Sequence, residues 1–222
     1  FRIRHTALDS HRKIFLQTLD ERFQNIVVPT RIQPKLSLSS SGSTTSMIFQ
    51  SPLPKHQLPP KLKDLLVEYS QNSTIARQEL GSMLPVLALS PQPGDCVVDM
   101  CASPGSKTLQ AVEHVVTPSH NSNTDKKKPK RGLVLANDVL ESRLDALRDA
   151  VQRSGIPNSY TNRIRYSQVD ATKLTLSAPC QLVICDVPCS GDGTCRKDPH
   201  ILPMWKPQAG NALHSTQLAI LQ

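Results

Sequence analysis

The feature that most narrows the possible fold is an alternation that begins at Cys96. Four short apolar runs, Cys96 to Met100, Leu133 to Asp138, Arg165 to Val169 and Leu182 to Asp186, are separated by amphipathic or polar stretches. Runs of this length, the first entered through the turn residues Pro93, Gly94 and Asp95, read as buried strands. Two intervening stretches, about Ser106 to Val116 and Ser142 to Ser154, read as helices, and Gly155 and Pro157 stop the second. Strand, helix, strand, helix, strand, strand predicts an α/β fold with a mostly parallel, doubly wound sheet and right-handed crossovers. Each strand ends in an aspartate or runs into a loop that carries one: Asp99, Asp138, Asp170 and Asp186. Ligands of open α/β sheets bind beyond the carboxyl ends of the strands, so these four carboxylates are candidate ligand groups.

The front of the chain has a different texture. Ile14, Leu16, Leu19, Phe23, Ile26 and Val27 recur at roughly helical spacing and predict a helix from about Ser10, ended by Pro29. Residues 29–60 are rich in Ser, Pro and Thr, and Ser37 to Ser46 is nearly low-complexity, which predicts a loop. A second helix is expected from about Lys61 to Tyr69. A third is expected to be capped by Ser73 or Thr74, with Arg77, Gln78 and Glu79 in its first turns and Pro85 disturbing it. The chain therefore divides into an N-terminal helical and loop region, 1–72, and an α/β domain, 73–222.

Composition sets limits on function. No run approaches 18 consecutive apolar residues, so no transmembrane helix is expected. Phe1 is followed by no apolar segment of the secretory type. Lys and Arg number 26 against 18 Asp and Glu, a surplus that suits a polyanion such as nucleic acid. Lys126, Lys127, Lys128, Lys130 and Arg131 supply much of it in one insertion, which reads as a nuclear localisation tract, a phosphate contact or a solvated loop. The six cysteines form no CxxC pair, so reduced thiols are expected and a metal site is not.

The first loop of the sheet, Cys101-Ala102-Ser103-Pro104-Gly105-Ser106-Lys107-Thr108, lacks the Gly-Lys of a P-loop, and GxGxxG is absent. One glycine cannot open an amide cradle for phosphates. A ligand with an adenosine ribose but no phosphate fits better. Asp138 could accept both ribose hydroxyls and Asp170 could reach an adenine amino group. S-adenosylmethionine is such a ligand, with a nicotinamide cofactor as its rival. A second shaped loop, Asp186-Val187-Pro188-Cys189-Ser190-Gly191-Asp192-Gly193-Thr194, places Asp186 and Cys189 where a substrate would meet that ligand.

These two loops, from Asp99 to Thr108 and from Asp186 to Thr194, resemble the motifs of the NSUN-type RNA cytosine-C5 methyltransferases. Arg77-Gln78-Glu79 with Ser82-Met83-Leu84-Pro85, Asn137-Asp138 and Asp170-Ala171 are similar to further segments of that family. Arg196-Lys197 resembles its eukaryotic tRNA-methylating branch. The resemblance implies a Rossmann-like methyltransferase fold that uses S-adenosylmethionine, with RNA, above all tRNA, as substrate. The basic run from Lys126 to Arg131 points to the nucleus or nucleolus, with the cytoplasm as alternative, and a monomer is expected.

Cytosine C5 becomes nucleophilic when a thiolate adds to C6, and a donor or acid at the N3/N4 edge eases that addition. The resemblance puts Asp186 at this edge and Lys107 against the base or the methionine end of the cofactor. It lines the cofactor pocket with Cys101, Ala102, Ser103, Pro104, Gly105, Ser106, Lys107, Asp138, Asp170 and Asp186. Cys189 corresponds to the cysteine that assists breakdown of the adduct. The family's attacking cysteine lies in a Thr-Cys-Ser motif that is missing from this sequence, and Cys195 is incidental. The 222 residues are therefore expected to be a fragment cut on the C-terminal side, with four of the family's seven strands and a helix over 211–222. Such a piece should be inactive by itself and expose an apolar edge beside its fourth strand. The alternative is a truncated, non-catalytic module that binds cofactor or RNA.

Overall fold

The structure, a computed structural model, describes residues 1–4, 6–30, 48–116, 132–195 and 198–222. The low-complexity tract from Ser37 to Ser46, the basic run from Lys126 to Arg131, and Arg196 and Lys197 lie outside the described residues.

The N-terminal layer runs β1 (Arg2–Ile3), α1 (Asp9–Phe23), β2 (Val28–Pro29), β3 (Phe49–Gln50), α2 (Pro60–Gln71) and β4 (Ile75–Ala76). β1 pairs antiparallel with β4, and β2 with β3. Phe15, Leu19 and Phe23 recur every four residues on α1, as Leu62 and Leu66 do on α2, and both faces are buried. With Ile3, Val27, Phe49 and Ile75 they close one core, in which the Phe15 ring meets Tyr69 at 4.7 Å and Phe1 at 5.7 Å.

The second layer runs α3 (Leu80–Leu89), β5 (Cys96–Asp99), α4 (Ser106–Val116), β6 (Leu133–Asn137), α5 (Glu141–Arg153), α6 (Asn158–Thr161), β7 (Ile164–Ser167), β8 (Leu182–Ile184), α7 (Ile201–Met204) and α8 (Pro207–Leu221). Strands β5 to β8 form one parallel sheet in the order β7-β6-β5-β8, as the alternation predicts. Side chains alternate between the two faces of a strand. Val97, Val134, Ala136, Ile164 and Ile184 share one face and pack with Leu109, Val112 and Val115 of α4 and Leu144, Leu147 and Val151 of α5. The opposite face is less covered: Val98 is buried, but Val183, on the edge strand β8, is 46% exposed. Gly155, with φ of +66°, ends the turn after α5, and a Cβ there would come within 3.0 Å of the Gln71 carbonyl.

A buried ion cluster joins the two layers. Arg2 donates twice to the Glu113 carboxylate, at 2.7 and 2.9 Å, and Arg4 donates once at 2.7 Å. Glu113 is a residue of α4 and fully buried. Arg2 also donates to Gln78, whose amide reaches Gln110 at 2.9 Å. Charges taken from water need this density of partners.

Four local expectations are corrected. Ser73 and Thr74 cap no helix: Ser73 has φ of +64°, and the next residues pair with β1, because Arg4 donates its N–H to the Thr74 carbonyl. Arg77, Gln78 and Glu79 therefore precede α3. Pro85 sits inside α3 without ending it, since Met83 and Val86 are buried and α3 packs on α4. Helix α1 stops at Phe23 rather than Pro29, because Val28 and Pro29 are drawn into pairing with β3. Finally, α8 starts at Pro207, where a proline in the first turn suits a helix start, four residues before the expected 211.

Glu113→Gln should remove the countercharge from two buried guanidinium groups and cost about 3–5 kcal/mol in urea unfolding. Replacing Arg2, Arg4 and Glu113 together by Met should cost far less. If Glu113→Gln alone is neutral, the cluster does not hold the layers together.

Candidate active site

The sheet reverses its winding between β5 and β8. From β5 the chain moves through β6 to β7 on one side, then returns to place β8 on the other. In doubly wound sheets the ligand crevice lies at this reversal, beyond the carboxyl ends. The loop 101–105 leaves β5 here. Gly105 has φ of +101°, and a Cβ there would collide with Leu147 Cδ1, so only glycine fits. The Ser103–Pro104 peptide is cis. Ala102 donates its N–H to the Asn137 carbonyl at 2.8 Å, which ties the loop to β6.

Lys107, in the first turn of α4, donates from Nζ to Asp186 at 2.6 Å. The lysine is 15% exposed and the carboxylate 58%, so the pair lines an open surface with the cation shielded behind it. Asp99 lies beneath, fully buried. Its Oδ2 accepts the Thr108 hydroxyl at 2.7 Å, and its Oδ1 has no hydrogen-bond partner among the described residues. Burial raises the Asp99 carboxyl to about 6; Thr108 and Lys107 oppose the shift, and Asp186 and Asp138 reinforce it. Lys107, Asp99, Asp186 and Asp138 are therefore brought into one electrostatic neighbourhood.

Asp138 follows β6 and is almost fully buried under Arg143. Asp170 behaves differently. It is exposed, and its carboxylate accepts the N–H of Thr172 at 3.0 Å and the hydroxyl at 2.8 Å, which hold it below the ordinary carboxylate range. It caps a short turn rather than joining the cluster.

The cysteines separate by environment. Burial, reinforced by Asp138, Cys185 and Asp99, pushes the Cys101 thiol up to about 11. Cys185 is also raised, again mainly by burial. Neither is a ready thiolate. Cys189 is exposed, in a loop shaped by Gly191 at φ of +76° and by a Ser190 hydroxyl that donates to Asp192. Gln217 of α8 donates to the Pro188 carbonyl at 2.7 Å and pins the residue before Cys189. Cys195 lies past the turn that ends this loop.

Three contributors carried no signal strong enough to be read beforehand. Thr108 partners Asp99. Asn137, fully buried, donates from its amide to the carbonyls of Met100 (3.0 Å) and Val169 (2.8 Å) and accepts the Val169 N–H (3.1 Å). Those bonds replace the backbone ladder, which is why β7 ends at Ser167 and not at Val169. Arg143 reaches back to Asp138 from the first turn of α5; an Asp five residues before an Arg at a helix start was the available clue.

The raised Asp99 carboxyl makes folding pH-dependent. Protons bind the folded state more tightly than the unfolded, so this contribution is fully present below the unfolded value of 3.8 and is lost as pH rises through about 6. The loss amounts to roughly 3 kcal/mol. Melting curves of wild type and Asp99→Asn should therefore diverge between about pH 4 and 6 and run parallel above. Parallel curves throughout would contradict a buried, titrating Asp99.

Comparison with known proteins agrees with this geometry. The family model described as 16S rRNA methyltransferase RsmB/F matches residues 86–222. The tRNA (cytosine(34)-C(5))-methyltransferase of Drosophila melanogaster is 36% identical over 170 residues, covering 73% of this chain and 22% of that protein. The multisite-specific tRNA:(cytosine-C(5))-methyltransferase of Saccharomyces cerevisiae is 36% identical over 169 residues, covering 72% and 23%. The chain thus spans less than a quarter of the length of either relative. Among solved structures, a methyltransferase homologue from Pyrococcus horikoshii superposes with a TM-score of 0.61 at 20% identity, over 99% of this chain and 57% of that one. NSun6 from Pyrococcus horikoshii, solved with SFG, gives 0.55 at 22% identity, over 69% and 35%. These superpositions agree with the Rossmann-like methyltransferase fold. The matched span holds the whole parallel sheet and both carboxyl-edge loops, and on that match this chain belongs to the RsmB/F methyltransferase family.

Proposed function

We propose that these residues form the cofactor and base-recognition part of an RNA cytosine-C5 methyltransferase that uses S-adenosylmethionine and acts on tRNA. The observation that carries the reading is the Lys107–Asp186 pair at 2.6 Å, set over buried Asp99 at the reversal of the sheet, with Cys189 three residues further along the same loop. The tRNA substrate is supported by the names of the fly and yeast relatives.

The residues suit this cofactor. Asp99, Asp138 and Asp186 lie near the loop 101–107, and the buried Oδ1 of Asp99 has no hydrogen-bond partner among the described residues. Carboxylates so placed favour a ligand with ammonium and sulfonium charges. When bound, the cofactor supplies a methyl group on a positively charged sulfur.

The chain's own groups then divide the work. Lys107 fixes the Asp186 side chain toward the open surface. Asp186 meets the N3/N4 edge of cytosine as an acid and gives a proton to N3 while a thiolate adds to C6, so that no net negative charge builds on the ring. Cys189, exposed beside it, assists breakdown of the adduct once C5 has been methylated. None of the six cysteines lies in a Thr-Cys-Ser run, so the attacking thiol is assigned to none of them. Action as a monomer is part of the proposal. A nuclear or nucleolar location, with the cytoplasm as alternative, is part of the proposal and rests on the basic run at Lys126 to Arg131 alone.

In the methylating protein, Cys189→Ala should leave RNA covalently attached after methyl transfer. Denaturing gels would then show a slow-migrating protein–RNA band that wild type does not accumulate. Normal turnover without such a band would overturn the role given to Cys189.

A further inference from the structure

Arg143 has no part in the reading above, yet it binds together two of its ligand groups. Its Nε donates to both oxygens of Asp138, at 3.1 and 3.0 Å, and a terminal nitrogen donates to the Ser103 carbonyl at 2.9 Å. The ring closes in the other direction too. The Ser103 hydroxyl donates to the Arg143 carbonyl at 2.8 Å, and the Ser103 N–H points to Asp138 Oδ2 at 3.3 Å. The Leu140 N–H reaches Asp138 Oδ1 at 3.3 Å. Loop 101–105 and the β6–α5 turn are thus joined through one guanidinium.

The energetics point away from a stabilising role. Arg143 is 49% exposed, and ion pairs open to solvent contribute little to folding. Asp138 is only 4% exposed. What the arginine supplies is geometry: a planar fork of donors at fixed angles, which a flexible ammonium cannot reproduce. With Nε shared between both oxygens, the carboxylate plane is set relative to the guanidinium. The same guanidinium sets the position of Ser103.

We propose that Arg143 is a positioning residue for the adenosine end of the cofactor. It holds the Asp138 carboxylate and the 101–105 loop in one fixed relation, so that the two ribose hydroxyls can meet the carboxylate together in place of its long contacts to the Ser103 and Leu140 N–H groups. The inference rests on the reading of Asp138 as the ribose acceptor. A bidentate contact depends on orientation, so losing the fork loses the contact even though the Asp138 charge remains.

Calorimetric titration of the chain with S-adenosylhomocysteine and with its 2′,3′-dideoxyribose analogue tests this. Wild type should bind the analogue more weakly. Arg143→Ala and Arg143→Lys should each weaken S-adenosylhomocysteine about tenfold, the size of one charge-assisted contact, and leave the analogue unchanged. Asp138→Asn with Arg143→Ala should bind like Asp138→Asn alone. Melting temperatures without ligand confirm that each variant is folded, and the conservative Lys variant carries the test if the Ala variant is not. Unchanged affinity in the Arg143 variants overturns the proposal, as does equal weakening of both ligands; either leaves the ribose reading standing. A wild type that binds neither ligand, or binds both equally, overturns the ribose reading and the proposal with it.

Discussion

The carboxyl edge of the sheet depends on the buried amide of Asn137. A parallel sheet ends in unpaired backbone groups wherever its strands diverge toward a ligand crevice, and such groups are costly if buried alone. Asn137 satisfies them with one side chain, bridging the Met100 carbonyl after β5 and both backbone groups of Val169 after β7. Its own carbonyl takes the Ala102 N–H. Three strand ends and the first loop are therefore held at one height. Asp99, Asp138 and the loop 101–105 take their positions from it.

Electrostatics then distribute roles within that frame. Burial drives the Asp99 carboxyl and the Cys101 thiol toward their neutral forms, and each neighbouring carboxylate pushes further in the same direction. Lys107 at Asp186 and Arg143 at Asp138 are the cations that answer this concentration of acid. The helix of Lys107, α4, is anchored at Glu113 by Arg2 and Arg4 of the N-terminal layer. The front of the chain therefore acts on the site through a helix: a buried charge cluster holds one part of α4, and the residue that meets Asp186 sits in its first turn.

What could be read from sequence, and what could not, follows the range of the interactions involved. Helix α4 is found over Ser106–Val116 as expected, because its bounds are local: a glycine that must be glycine before it and an apolar stripe along it. The alternation of strands and helices was legible for the same reason, whereas Lys107, 79 residues from the Asp186 it meets, was placed at the site only by the resemblance of its loop to a known family. The misreadings are non-local. Ser73 and Thr74 have the composition of a helix cap, but pairing of Ile75 and Ala76 with β1, more than seventy residues away, decides their conformation. Nothing near Arg2 and Arg4 in the sequence signals the buried Glu113 they meet, more than a hundred residues on. Asp170 matches the pattern of the other three aspartates, and what sets it apart is local: Thr172, two residues on, donates to its carboxylate. Arg143 was hidden because its contribution lies in what it orients.

The central claim is that the Lys107–Asp186 edge belongs to a methyltransferase for cytosine in tRNA. Bisulfite sequencing of RNA after deletion of the gene tests it most directly. The account predicts loss of 5-methylcytosine at a defined set of tRNA positions, restored by the wild-type gene and not by one carrying Asp186→Asn. An unchanged pattern of cytosine methylation across the RNA would contradict it.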